Sequence, residues 1–145
     1  MKIFTIGFTQ KSAADFFQSI QNSGAKRVID VRLNNVSQLA GFAKRDDLAF
    51  FLKELCGIDY VHRLDLAPTP TVLDKYRKDK KEWRRFEREF LQLLRERKIE
   101  RKIPKELMSG ACLLCSEDKP HHCHRRMIAE YLQQHWHDVE IVHLG

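Results

Sequence analysis

Apolar residues recur along this chain with two periods. Short β-branched runs alternate with longer stretches in which large apolar residues return every three or four positions. Lys2–Ile6 reads as a first strand ending at Gly7. Ser12 then caps a helix, with Asp15 in the place of the glutamate of a capping box. Phe16, Phe17 and Ile20 form its apolar face, and Gly24 closes it. Arg27–Val31 is a second, buried strand. A strand-helix-strand unit of this length implies parallel strands. Arg32–Arg45 shows no clean period and reads as a loop with room for a helical turn. Asp46 or Asp47 caps the next helix, whose inner face is Leu48, Phe51, Leu52 and Leu55 and which Gly57 ends. Ile58–His62 reads as a third strand, and Pro68 and Pro70 mark a break. Trp83, Phe86, Phe90 and Leu94 define a long amphipathic helix, and their shared stripe makes them core rather than base-stacking platforms. Ala111–Cys115 reads as a central strand. A helix starting near Cys123 buries Met127, Ile128, Tyr131 and Leu132, and Val139–Val142 is the last strand. Strands alternating with helices predict a single-domain, three-layer α/β fold over residues 1–145, with a mostly parallel sheet of four to five strands flanked by helices.

The length of 145 residues fits one domain that folds without disulfide or metal. No apolar run approaches a membrane span, and Met1–Gly7 is too short and too soon polar for a signal peptide. A cytoplasmic protein with no membrane partner is expected. In that setting Cys56, Cys112, Cys115 and Cys123 are thiols or metal ligands rather than disulfides.

Charge changes the picture in one place. Lys75–Lys105 holds 14 Lys and Arg against 6 Asp and Glu, whereas the whole chain is only +6. That segment, with Lys80, Lys81, Arg84, Arg85 and Arg88 at its centre, reads either as a surface for nucleic acid or as a solvated helix face laced with ion pairs such as Glu82–Arg85.

In open parallel sheets, ligands bind beyond the carboxyl ends of the strands. Gly7, Asp30 with Arg32, Tyr60 with His62, and Cys115 with Glu117 end successive strands and should meet at one edge. The densest polar segment, Cys115–Arg126, runs from a strand through a loop into a helix. Cys123 at that helix start would feel backbone N–H groups and the helix dipole, which favour thiolate, as would Arg125 and Arg126. The same donors could hold a phosphate.

Several chemistries fit in part. Cys112 and Cys115 have ligand-like spacing, but on a strand they point to opposite faces, which makes Cys112 a core residue. Zinc held by Cys115, Cys123 and one of His121, His122 or His124 stays open, although no metal is assigned. Cys115 and Cys123 could instead act as nucleophile and resolving thiol. A cysteine phosphatase is excluded, because it needs an Arg six residues after the Cys and position 129 is Ala. The candidate catalytic residues are therefore Cys115, Glu117, Cys123 and Asp30, with the two carboxylates as acid and base or as partners of the arginines. Gly7, Arg32, His124 and Arg125 are the candidate anion contacts. The expected partner is an anionic small molecule or a nucleic acid, and the rival reading is a non-catalytic nucleic-acid-binding or structural module. His135, His137 and His143 read as surface or helix-end residues.

Thr5-Ile6-Gly7, Asp30-Val31-Arg32, Gly57-Ile58 with Tyr60, and Leu114-Cys115 with Glu117, Pro120 and Cys123-His124-Arg125 resemble the motifs of the domain-of-unknown-function family numbered 488. The resemblance runs from Ile3 to about Leu132. It implies a compact α/β domain and the same site positions, and it supplies no reaction. This chain has Thr9 where the family commonly has Ser, Asn35 where it has Pro, and Ala67-Pro68 where it has Gly-Gly.

Overall fold

A computed structural model describes residues 1–36, 41–117 and 120–144. Five strands form one all-parallel sheet: β1 (Lys2–Gly7), β2 (Arg27–Asp30), β3 (Asp59–His62), β4 (Ala111–Cys115) and β5 (Glu140–His143), in the order β3-β2-β4-β1-β5. The strand expected to end at Val31 stops at Asp30, and the last begins one residue later than its apolar run. β4 is the central strand, as its uninterrupted burial requires.

Helices cover both faces. Helix α1 (Ala13–Ser23) follows β1. Ser12 caps it by accepting from the Asp15 N–H, and Gly24 closes it at φ 76. Helix α2 (Arg45–Phe51) follows β2 and continues as a widened turn over Leu52–Cys56. Lys44, rather than Asp46 or Asp47, occupies its cap position. The widened turn adds a residue to the helical period, which rotates Leu55 out of the predicted inner face and leaves it 54% exposed. Of the four residues expected inside, Leu48 and Leu52 are buried and Phe51 is half-buried. The loop expected over Arg32–Arg45 contains a 3-10 turn at Gly41–Ala43, and its residues 37–40 lie outside the described residues.

Between β3 and β4 run α3 (Pro70–Lys78), α4 (Trp83–Arg97), α5 (Ile99–Lys102) and α6 (Lys105–Met108). The stripe of Trp83, Phe86, Phe90 and Leu94 is buried as its spacing predicts. Helix α7 (His124–His135) joins β4 to β5.

The sheet separates two cores. On one face, Phe4, Ile6, Val28, Cys112 and Leu114 pack against Phe16, Phe17 and Ile20 of α1 and Leu48 of α2. On the other, Ile3, Ile29, Leu113 and Cys115 pack beneath α4 and α7. The loops leaving β1 and β2 thus lead to one face, while the loop leaving β4, which lies between them, leads to the other. Diverging loops of this kind open a crevice at the carboxyl edge, and here it falls at the end of β4.

Candidate functional site

The residues that end the strands do reach one edge, but the sheet divides them. The register pairs Val28 with Cys112 and Asp30 with Leu114. Asp30 therefore shares the α1 face with Leu114, while Cys115 faces α4 and α7.

On the α1 side, Asp30 is fully buried. Its carboxylate accepts from Arg32 at three nitrogens: N at 3.1 Å, Nε at 2.8 Å and Nη2 at 2.8 Å. The Tyr60 hydroxyl and the Asn35 amide also donate to it. Burial alone would raise its pKa, but the Arg32 guanidinium and the Tyr60 hydroxyl hold it below 3.8. Tyr60, half-buried and bonded to that carboxylate, is pushed well above the ordinary phenol value. Asp30 was expected as acid or base or as a partner of the arginines, and the structure makes it the anchor of its near neighbour Arg32. Arg32 Nη1 is buried and has no hydrogen-bond partner among the described residues. The guanidinium lies over the Phe8 ring, 5.2 Å from its centroid. Asn35 is integral here, since its amide also donates to the Tyr60 hydroxyl at 3.1 Å.

On the α7 side, Cys115, Cys123 and His124 are all buried, and their donor atoms lie within 4.8 Å of one another. Cys115 ends β4, Cys123 caps α7 in an extended conformation, and His124 is the first residue of that helix. His124 Nε2 lies 2.7 Å from the Val31 carbonyl oxygen. A carbonyl only accepts, so Nε2 carries the hydrogen, and in the neutral ring Nδ1 presents its lone pair. That atom lies 3.3 Å from Cys115 Sγ. Burial opposes ionisation of Cys115. The Cys123 thiol, the Arg125 guanidinium and the backbone N–H groups of Ser116 and Glu117 outweigh it and hold Cys115 below the ordinary thiol value. Cys123 is pushed far up by burial and by the neighbouring Cys115. Thiolate was expected at the helix start, whereas here burial disfavours it at Cys123 and the surrounding hydrogen bonds favour it at the strand end, Cys115. Cys112 points to the other face, where burial raises it to about 12. It is a core residue, as strand alternation predicts.

Two further expectations change. Gly7 was expected as an anion contact, but a Cβ there would sit 1.6 Å from the Glu117 carbonyl oxygen and 2.8 Å from Arg125 Nη1. The glycine is required so that the β4–α7 loop can lie against β1. Arg125 is fully buried and ties that loop down, donating to the Glu117 carbonyl and, at 3.3 Å, to Thr5 Oγ1. Thr9 serves the same loop: its hydroxyl donates to the Ser116 carbonyl at 2.7 Å. Sequence reasoning named Thr5 in a motif and His143 as a surface or helix-end residue, but not their bond to each other at 2.6 Å. Only the sheet order, with β5 beside β1, brings them together. Ala67, at the departure from Gly-Gly, is clamped through its carbonyl by Arg97 Nη1 at 2.6 Å.

A cavity of about 100 Å³ adjoins the thiol cluster, bounded by Ser116, Glu117, His122 and His124 on one side and Arg77 and Lys80 on the other. Glu117 is about half exposed, and its carboxylate stands 3.7 Å from Lys80 Nζ. His122 stacks on Trp83 with centroids 4.8 Å apart. The same Lys80, Trp83 and His122 border a shallower hollow of about 400 Å³ that continues over Lys81, Arg84, Arg85 and Arg88. Of these, Arg85 pairs with Glu82 and Glu89, as the solvated-face reading expected. His121 is exposed, and Asp118 and Lys119 lie outside the described residues. A larger hollow of about 700 Å³ lies between α1 and α2, far from this chemistry, lined by apolar residues such as Phe17, Phe42 and Phe51.

Fold and site together define a parallel α/β protein with a buried thiol-imidazole cluster at the topological switch point of its sheet. Residues 12–132 match the model of the family described as "Domain of unknown function DUF488", and the chain belongs to that family. No curated protein and no solved structure matches it. No helix among the described residues is long and apolar enough to cross a membrane.

Proposed function

We propose that the carboxyl edge of the sheet is a thiol-dependent site that takes a phosphate-bearing ligand of the nucleotide or nucleic-acid class. The observation that supports this best is the shared wall. The cavity beside the Cys115–Cys123–His124 cluster has Arg77 and Lys80 as its opposite rim, and the basic surface of α4 continues from that rim. An anion drawn along this surface arrives beside His124, the cluster member that lines the cavity. In this reading Cys115 is the nucleophile, His124 its proton partner and Cys123 the thiol that donates to it. Glu117, exposed at the cavity mouth, moves a proton to or from the ligand. Asp30 and Arg125 are positioning residues. A cytoplasmic, reducing setting keeps both thiols available.

The test is alkylation of the reduced, chelator-treated protein by iodoacetamide, with and without tripolyphosphate, read peptide by peptide. Cys115 should react, and tripolyphosphate should slow it. An unreactive Cys115, or one indifferent to polyphosphate, overturns the proposal.

A second reading is a nucleic-acid-binding module without catalysis. Lys81, Arg84 and Arg88 are exposed along one hollow and form no ion pair among the described residues, which favours it. Oligonucleotide affinity would then fall steeply with salt while Cys115→Ser left it unchanged. A flat salt response would contradict it.

A further inference from the structure

The thiol cluster has a property that nucleophilic chemistry does not require. Three side chains from two elements turn electron pairs toward one small buried volume. His124 is fixed from behind: its Nε2–H bonds the Val31 carbonyl at 2.7 Å, so Nδ1 faces inward. An imidazole whose outer N–H is held by a backbone carbonyl is the usual arrangement of a metal-ligating histidine, because it sets both tautomer and ring orientation.

The spacing fits as well. Tetrahedral zinc takes Zn–S near 2.3 Å and Zn–N near 2.0–2.1 Å, which places neighbouring ligand atoms about 3.5–3.8 Å apart. Cys115 Sγ and His124 Nδ1 are 3.3 Å apart, and the whole donor set lies within 4.8 Å. A single cation at the centre satisfies all three lone pairs, whereas one proton satisfies a single pair. Among the described residues, no other group of three His, Cys, Asp or Glu side chains meets this condition.

We propose that Cys115, Cys123 and His124 Nδ1 bind one zinc ion, a deepening that rests on the thiol reading above. Two thiolates and an imidazole are the soft and borderline donors that select zinc over magnesium or calcium. Binding transfers the remaining thiol protons to solvent and involves no oxidation or reduction. Three protein donors leave a fourth position, as catalytic rather than structural zinc sites do. The cavity bounded by His124, Ser116 and Glu117 is the space through which water or a phosphate oxygen reaches it.

The experiment is titration of the reduced, untagged, metal-free protein with Co(II), followed by Zn(II) competition. Absorption should show thiolate-to-cobalt charge transfer and the intense visible bands of a four-coordinate ion, abolished by one equivalent of Zn(II). His124→Ala should weaken zinc more than about 100-fold, beyond the usual cost of losing an outer hydrogen-bond partner. Replacing both Cys115 and Cys123 by Ser should remove the charge-transfer band, and Cys56→Ser should leave it intact. Because the wild-type spectrum is itself decisive, a variant that fails to fold does not rescue the proposal. Absence of the bands in wild type, or their persistence in folded His124→Ala, overturns it. If the bands are absent while Cys115 is still alkylated and protected by tripolyphosphate, the zinc proposal fails and the thiol reading stands. If the bands appear and polyphosphate gives no protection, the zinc proposal is supported and the anion reading fails.

Discussion

On the α1 side of the carboxyl edge, one carboxylate accepts five hydrogen bonds, and every one comes from a residue fixed by the fold. On the α7 side, two sulfurs and an imidazole nitrogen lie within 4.8 Å of one another. Both groups are buried and both end parallel strands, yet the first is an ion pair closed by its own hydrogen bonds and the second is a set of soft donors beside a cavity. A satisfied buried ion pair holds loops in place. A cluster of thiols and imidazole beside a cavity is where a ligand or ion has something to do. Arg32 belongs to the closed side, where Asp30 holds its guanidinium over the Phe8 ring and leaves Nη1 over.

The largest test of this contrast is Asp30→Asn. It leaves the buried Arg32 without its counter-charge and should cost about 3–5 kcal/mol in denaturant unfolding. Its pH signature has a definite sign. The folded carboxyl lies below 3.8, so its contribution is present above that value and is lost as pH falls through the folded pKa. The wild-type acid limb should therefore be shallower in the variant. A loss under 1 kcal/mol would show that the closed side does not fix the loops.

Next comes Gly7→Ala, whose methyl group collides with the Glu117 backbone. Destabilisation near the upper end of the usual ~1–3 kcal/mol for overpacking is expected, with disturbed Cys115 reactivity because the β4–α7 loop must shift. A neutral effect would remove the close approach from the account. Tyr60→Phe removes one of the five donors to Asp30 and should cost about 1–1.5 kcal/mol without changing thiol reactivity. A change at Cys115 would show that the two sides are coupled.

Effects on the open side should fall on chemistry rather than stability. Cys123→Ala should cost only about 1 kcal/mol, since the thiol packs as a small apolar group. It should also change the alkylation rate of Cys115 by removing its thiol donor. Smallest for stability is the pair Arg84→Ala and Arg88→Ala, each within about 0.5 kcal/mol. If these side chains lead an anion to the cavity, each also lowers the salt dependence of oligonucleotide binding by about one charge. Unchanged salt dependence would leave the α4 face merely solvated.

Much of this was legible in the chain. β-branched runs located the strands, and the strand-end rule gathered Asp30, Arg32, Cys115 and Glu117 at one edge. Alternation correctly turned Cys112 away from Cys115. What the sequence could not show was the register between strands. Only the pairing of Asp30 with Leu114 reveals that Asp30 and Cys115 face opposite sides. Nor could it show which arginine Asp30 would take, and the fold gives it Arg32, two residues on. Leu55 was misplaced because a widened turn leaves no mark in an apolar period. The thiolate was expected at Cys123 because local helix-start electrostatics can be read from sequence, while the hydrogen bonds that favour Cys115 come from the folded loop.

The central claim is that the α7 side carries the reactive chemistry. Its most direct test is the order in which the four thiols of the reduced, chelator-treated native protein react with iodoacetamide at neutral pH. Cys115 should react ahead of Cys123, despite both being buried, with Cys112 protected until the protein unfolds. If the half-buried Cys56 alone reacts and Cys115 is as inert as Cys112, the cluster is packing and the account is wrong.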